Sequence, residues 1–221
     1  MKRIFDIVSS GIFITIISPL LIPLMILLRF TGEGKIFYVQ QRIGKGGKQF
    51  GLLKFATMLE NSQNLPGGDV TMGNDPRVLP VGKFLRKTKI NELPQLLNIF
   101  KGDISVVGPR PLTPKTFAFY PKRIQEEIKH LKPGLTGIGS IVFRDEESIL
   151  ANSPKPHLQC YEEDIAPYKG ELEVWYKENK SFMLDIQLIF LTIWVIIFPN
   201  SRIYESLYSG LPKKVKFNAN T

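Results

Sequence analysis

The residues of this chain best suited to chemistry fall within residues 86–111, RKTKINELPQLLNIFKGDISVVGPRP. This stretch sets a polar Asn91-Glu92 pair at a helix start, an acidic Asp103 after a Gly102 turn, and Arg110 between two prolines. Phosphoryl chemistry needs such parts: cations to balance oxygen charge, a carboxylate to hold Mg²⁺, and a nucleophile in line with the leaving group. A helix N-terminus adds backbone donors suited to phosphate. Each residue also has a plainer reading. Asn91 serves equally well as the N-cap of a helix starting around Glu92. Arg86, Lys87 and Lys89 read as a solvated or lipid-facing basic patch, and Asp103 as a turn former after Gly102. Arg110 resists the plain reading, because Gly108-Pro109-Arg110-Pro111 fixes the backbone around one cation in an otherwise apolar stretch. His130 and His157 stand in no recognisable constellation.

These residues need elements to hold them. Leu93, Leu96, Leu97 and Phe100 recur at helical spacing, which predicts an amphipathic helix over residues 92–101. Upstream, residues 35–39 and 50–55 have strand-forming composition, and Gly44, Gly46 and Gly47 between them suggest a hairpin turn. Residues 61–80 read as an irregular polar loop. Residues 124–131 read as a short helix ended by Pro133-Gly134, and residues 145–173 as loop mixed with short helix. Residues 184–198 are apolar, but Asp185 and Gln187 lie at their start and the run is short, so a buried or interfacial helix is expected there and not a second span. Residues 209–221 look frayed, with Lys213, Lys214 and Lys216 available to anionic headgroups.

At 221 residues the chain has room for one globular domain and a membrane element. Its net charge of +9 is concentrated in the first two-thirds and fits an anionic partner such as lipid, nucleotide or nucleic acid. No recognition-helix, aromatic-platform or zinc-finger pattern supports nucleic acid. The lone Cys160 cannot form an intrachain disulfide and fits a reducing compartment. Residues 4–28, IFDIVSSGIFITIISPLLIPLMILL, would form a helix roughly 37 Å long, against a hydrocarbon core of about 30 Å. Ser18-Pro19 and Pro23 fall mid-segment, and Lys2, Arg3, Arg29 and Lys35 flank both ends. A bend that returns both ends to the cytoplasmic side satisfies both observations, and a kinked spanning helix is the other reading.

The chain resembles the bacterial sugar transferase family, the monotopic phosphoglycosyl transferases, over nearly its whole length. The resemblance is carried by Lys2-Arg3-Ile4-Phe5-Asp6, Ser18-Pro19, Gln41-Arg42-Ile43-Gly44, Lys54-Phe55-Ala56-Thr57-Met58 and Glu92-Leu93-Pro94-Gln95-Leu96. It continues through Lys101-Gly102-Asp103, Val107-Gly108-Pro109-Arg110-Pro111, Pro133-Gly134-Leu135-Thr136-Gly137 and Asn179-Lys180-Ser181-Phe182. The resemblance implies an α/β, mainly helical, monotopic membrane protein at the cytoplasmic face of the bacterial inner membrane. Residues 1–34 would form a re-entrant helix-break-helix hairpin. Residues 35–208 would form a compact catalytic domain with short strands and an interfacial helix over 182–198, followed by a basic tail, 209–221. It further implies transfer of a sugar-1-phosphate from a nucleoside diphosphate sugar, usually a UDP-sugar, to polyprenyl phosphate, with release of UMP and use of Mg²⁺. A homo-oligomer is compatible with this.

By position, Lys54, Arg86 and Arg110 match family residues that contact phosphate, and Arg144 matches an arginine near the nucleotide. Asn91-Glu92 occupies the place of an Asp-Glu dyad in which the Asp attacks the β-phosphoryl group and the Glu helps hold the metal. Asn91 departs from that pattern, because an amide carries no charge and substitutes poorly for an attacking carboxylate. Three accounts stand open: Glu92 is the nucleophile or base, polyprenyl phosphate attacks directly, or the chain is an inactive relative that binds the same ligands or scaffolds a glycan-assembly complex. Ala56, Ser140 and Phe143 also depart, standing where the family usually has Arg or Lys, Gln and Gly.

Overall fold

The structure, a computed structural model, describes residues 1–62, 75–208 and 210–212. The middle of the loop expected over residues 61–80 and the lysines of the basic tail fall outside the described residues. The chain divides into two compact units: Met1–Gln41 with Phe50–Asp103, and Arg42–Gln49 with Ile104–Thr221.

The first unit begins with α1 (Lys2–Arg29), whose 28 residues carry no charge between Asp6 and Arg29. It is long and apolar enough to cross a membrane, with a mean hydropathy of 2.5 over its most apolar window and only 6% of that window buried. The expected break does not interrupt it, and helical backbone runs through both Pro19 and Pro23. Pro19 has no N–H to give the Thr15 carbonyl, and the Ser18 hydroxyl donates to that carbonyl instead, at 2.9 Å.

Both ends of α1 pack within this unit. Near its start, the Arg3 guanidinium donates to the carbonyls of Ile99 (2.6 Å) and Phe100 (2.7 Å) at the end of a helix, Gln95–Lys101. The last carbonyls of a helix have no partner within it and carry partial negative charge, so a cation there is favourable. Near the end of α1, Leu28 is buried with Phe55 and Leu85, and Leu21, Leu24 and Met25 pack against them. Strands β1 (Phe37–Ile43) and β2 (Gln49–Phe55) pair as a two-stranded sheet, extending the strands expected from composition, and Phe37 stacks on Phe55. Helix α2 (Pro80–Lys87) opens on a proline and lies against Thr57, where a Cβ on Gly82 would sit 2.2 Å from the Thr57 carbonyl oxygen. The helix expected over residues 92–101 is split into a 3-10 turn, Ile90–Glu92, and α3 (Gln95–Lys101).

In the second unit, β3 (Ser105–Val107) pairs in parallel with β4 (Gly134–Thr136), Ser105 opposite Gly134 and Val107 opposite Thr136. Between them run α4 (Pro114–Ala118) and α5 (Lys122–Ile128). After β4 come α6 (Ile138–Val142), α7 (Glu146–Ala151), α8 (His157–Cys160), a π-turn (Tyr161–Ile165) and α9 (Ala166–Asn179). Residues 145–173 are thus more helical than their composition suggested. Pro156 caps α8, and helical backbone continues through the π-helical turn into α9, with Pro167, which lacks an N–H, two residues past that turn.

Helix α10 (Phe182–Ile197) is capped by the Ser181 hydroxyl, which accepts from the Leu184 N–H at 3.1 Å. It buries Leu184, Leu188, Leu191 and Val195 and leaves Phe190, Ile193 and Ile197 exposed. At 16 residues it extends about 24 Å, short of a span. The short α11 (Ile203–Leu207) follows. Trp194 packs on Phe198 and donates its indole N–H to Ser201, while Trp175 packs on Tyr208.

The two glycine-bearing motifs of this unit interlock. A Cβ on Gly134 would lie 2.1 Å from the Gly108 nitrogen, and one on Gly137 would lie 2.2 Å from the Gly108 carbonyl oxygen. Gly46, at φ 75° in the turn after β1, has no atom within 4 Å of a Cβ position. Gly134→Ala is therefore expected to lose at least about 2 kcal/mol through overpacking against backbone. Gly46→Ala should lose about 1 kcal/mol through its left-handed backbone alone. Thermal unfolding of the two variants in detergent micelles checks the order.

Candidate active site

The first unit carries Lys54, Arg86, Asn91 and Glu92. Arg86 lies in the last turn of α2, half-buried, with Nη1 3.5 Å from the Met58 sulfur. Helix α2 packs on the 3-10 turn that holds Asn91 and Glu92. The link between them is Lys89, at φ 59° the one non-glycine residue with positive φ among the described residues. A side chain in that region costs about 1–2 kcal/mol, and the conformation turns the chain sharply from α2 into the Asn91 turn. Lys54, on β2, donates to Gln40 on β1 at 3.3 Å.

Asn91 is not a helix cap. Pro94 occupies the N-cap of α3, and Lys89 precedes the 3-10 turn, so Asn91 sits inside that turn. The proline is responsible: its fixed φ and missing N–H suit a helix start, which moves the start of α3 past Glu92. The Asn91 side chain is 6% exposed, and its Oδ1 has no hydrogen-bond partner among the described residues. Glu92 is half-buried, and the Gln95 amide approaches its carboxylate at 3.4 Å.

Asn98 ties this turn's helix to the sheet. Its amide donates to the Gly51 carbonyl and to the Asp103 carboxylate, both at 2.9 Å, and its oxygen accepts from the Leu53 N–H at 2.9 Å. Asp103 follows Gly102, which adopts φ 101°, so its carboxylate finishes a turn, as its plainer reading held. Among the described residues there is no group of three or more His, Cys, Asp or Glu placed to hold a metal.

The second unit carries Arg110 and Arg144. Around Arg110, the Arg42 guanidinium donates to the Pro111 carbonyl at 2.9 Å and the Ile43 N–H to the Leu112 carbonyl at 2.8 Å. The Arg42-Ile43 and Arg110-Pro111 motifs are thus parts of one structure. Arg110 itself is exposed, as is Arg144, which stands between α6 and α7.

Behind Arg110 lies a group that the sequence reading missed. Lys169, 1% exposed, is ion-paired with Glu146, and Glu173, 2% exposed, lies one turn further along α9. Burial works against charge on Glu146, but Lys169 and Arg110 outweigh it and hold the carboxyl below the usual range. Burial pulls Lys169 down despite Glu146. A Lys and a Glu at i, i+4 in a helix also buried on its apolar side was the available signal. Phe143 packs edge-on against Tyr168 at 5.7 Å and lies 5.6 Å from the Lys169 nitrogen. It therefore fills core volume beside a cation.

The sequence profile of the Bacterial sugar transferase family matches residues 1–199, which takes in every motif placed above. The chain belongs to the bacterial sugar transferase family. It is 33% identical over 203 residues to the UDP-N-acetylgalactosamine-undecaprenyl-phosphate N-acetylgalactosaminephosphotransferase of Aeromonas hydrophila, covering 89% of this chain and 44% of that protein. It is 35% identical over 211 residues to the undecaprenyl-phosphate galactose phosphotransferase of Salmonella typhimurium, covering 89% of this chain and 40% of that protein. It is 34% identical over 206 residues to the exopolysaccharide production protein ExoY of Rhizobium meliloti, covering 87% of this chain and 83% of that protein. The chain thus spans less than half the length of the first two relatives and most of the third.

The geometry separates an asparagine that ties elements together, Asn98, from one whose Oδ1 has no partner among the described residues, Asn91. Asn98→Ala leaves the Leu53 N–H and the Gly51 carbonyl without their partner and is expected to cost about 2–3 kcal/mol. Asn91→Ala removes no hydrogen bond seen among the described residues and should change stability by less than about 1 kcal/mol. Denaturant unfolding of both variants tests this, and a cost at Asn91 equal to that at Asn98 would restore a structural role for Asn91.

Proposed function

We propose that the chain transfers a sugar-1-phosphate from a nucleoside diphosphate sugar, a UDP-sugar, to undecaprenyl phosphate and releases UMP, as the first membrane step of a lipid-linked glycan. The observation that carries this reading is the family match over residues 1–199, with relatives named for undecaprenyl-phosphate sugar phosphotransfer. The exposed apolar surface of α1 supports membrane attachment. That both ends of α1 pack within the same unit, with Pro19 and Pro23 between them, supports a re-entrant course in which the helix bends at Ser18-Pro19 without leaving helical backbone, and we place the protein at the cytoplasmic face of the inner membrane. In the first unit, Lys54 and Arg86 would bind phosphate oxygens, and in the second unit Arg110 would do the same with Arg144 near the nucleotide. Mg²⁺ is commonly held by one or two carboxylates with substrate phosphates and water completing its shell. Glu92 suits that kind of site, and the ion would neutralise charge developing on the leaving phosphate.

Asn91 holds no charge, which leaves Glu92 as the carboxylate of the turn. In one route a Glu92 oxygen attacks the β-phosphorus and the bond to UMP breaks. The resulting acyl-phosphate is then attacked by undecaprenyl phosphate, which frees Glu92. In the other route undecaprenyl phosphate attacks the β-phosphorus directly and UMP leaves in the same step. A catalytically inactive relative gains no support from relatives named as transferases.

Purified protein given Mg²⁺, undecaprenyl phosphate and a panel of UDP-sugars is expected to release UMP, and silence across the panel from folded protein would refute the reaction. Glu92→Gln should lower turnover by at least about 100-fold on either route, since it removes a carboxylate that acts in the transition state. Label from the sugar phosphate retained on denatured wild-type protein, but not on Glu92→Gln, would select the covalent route. Asn91→Asp raises turnover if an attacking carboxylate at this position is what the chain lacks; unchanged turnover assigns the reaction to Glu92 or to direct displacement.

A further inference from the structure

Glu173 is a buried acid without a use in the reaction as drawn. It is 2% exposed, and neither carboxylate oxygen has a hydrogen-bond partner among the described residues. The Arg110 backbone N–H lies near enough to favour its charge without closing a bond of good geometry. Gly139 in α6 leaves the space it occupies, since a Cβ there would sit 2.4 Å from Glu173 Oε1 and 3.4 Å from the Lys169 side chain. Lys169, at i−4 on the same face of α9, is ion-paired with Glu146 and lies over the rings of Phe143 and Tyr161. The charged and titratable groups that act on this cluster are Arg110, Arg42, Glu146, Lys169, Tyr120 and Tyr161. Lys169 and both tyrosines are buried, while Arg110 is exposed and Arg42 and Glu146 are partly so.

Burial pushes the Glu173 carboxyl up to about 7, while Lys169 and Arg110 pull it the other way. Lys169 and Arg110 are the cations that favour ionised Glu173, and Arg42 adds a third cation that acts on Tyr161. A phosphate brought to the exposed Arg110 guanidinium would offset the pull of that cation on Glu173 in a poorly screened environment. The protonated form of Glu173 is favoured as a result. We propose that Glu173 is a positioning residue for Arg110 that takes a proton from solvent when a phosphate anion binds at Arg110 and returns it when the anion leaves. This deepens the assignment of Arg110 as a phosphate contact and rests on it.

Calorimetry of inorganic pyrophosphate binding at pH 7, in two buffers of different ionisation heat, reads the proton directly. Pyrophosphate titrates near this pH itself, so the signal is the difference between proteins: wild type is expected to take up as much as about half a proton per ligand more than Glu173→Gln, and Glu173→Asp should restore that difference. A second readout needs no ligand. Because the folded-state pKa of Glu173 is raised, its ionisation costs stability that sets in as pH rises above about 4.5 and is complete above about 7. The difference in melting temperature between wild type and Glu173→Gln should therefore change over that window. Arg110→Ala, which removes a cation favouring the ionised form, should move the wild-type inflection to higher pH. Should Glu173→Gln not fold, Arg110→Ala and Glu173→Asp carry the test. Pyrophosphate that fails to bind, uptake undiminished in Glu173→Gln, or an inflection unmoved in Arg110→Ala would each overturn the proposal. Failure to release UMP from UDP-sugars, with the proton signatures intact, would count against the proposed reaction alone.

Discussion

The second unit depends on one steric constraint: three backbone glycines, Gly108, Gly134 and Gly137, approach so closely that no side chain fits at their crossing. The parallel pairing of β3 with β4 is only three residues long on each side and has few hydrogen bonds to recommend it. Close contact between backbones lets those few bonds form and places Pro109-Arg110-Pro111 at the strand's exit. Arg110 leaves this crossing with its φ neighbours fixed by proline on both sides, facing solvent on one side and the buried Lys169, Glu146 and Glu173 on the other. A cation anchored in this way needs no loop ordering when an anion arrives, which is the general advantage of a preorganised electrostatic site.

The first unit solves a similar problem with side chains. Its helix α3 is only seven residues long, too short to persist alone. Arg3 satisfies its terminal carbonyls, Asn98 fastens its middle to β2 and to Asp103, and Pro94 defines where it starts. The Lys2-Arg3 and Lys101-Gly102-Asp103 motifs are the two ends of this clamp. The apolar α1 and the turn that carries Asn91 and Glu92 are therefore mechanically one body: α1 supplies the cap for the helix that follows Glu92.

Much of this was legible in the residues. The apolar α1, both strands of the first sheet, the short helix expected over 124–131 and found at Lys122–Ile128, and the helix expected over 184–198 and found at Phe182–Ile197 follow from periodicity and composition, because each buries one face locally. The start of α3 was misread because Asn91 and Pro94 both suit a helix N-terminus, and proline's covalent constraint prevailed over the side-chain cap. The continuity of α1 was misread because proline's missing donor is visible in sequence, whereas the hydroxyl that replaces it depends on a rotamer. Among the candidate residues, Lys54, Arg86 and Glu92 of the first unit and Arg110 of the second could be named from motifs. Glu173 and Lys169 could not, because their significance lies in desolvation, and desolvation is set by partners such as Gly139 and Phe143 many residues away.

Both tryptophans of the chain, Trp175 against Tyr208 and Trp194 against Phe198, belong to the second unit. Intrinsic indole emission is therefore a reporter of one unit only. It follows α9, α10 and the segment after them and carries no probe in the unit of Asn91 and Glu92. A fluorescence melt reads the second unit and a far-ultraviolet dichroism melt of the same sample reads helix in both, so any gap between the two curves measures how independently the two units unfold.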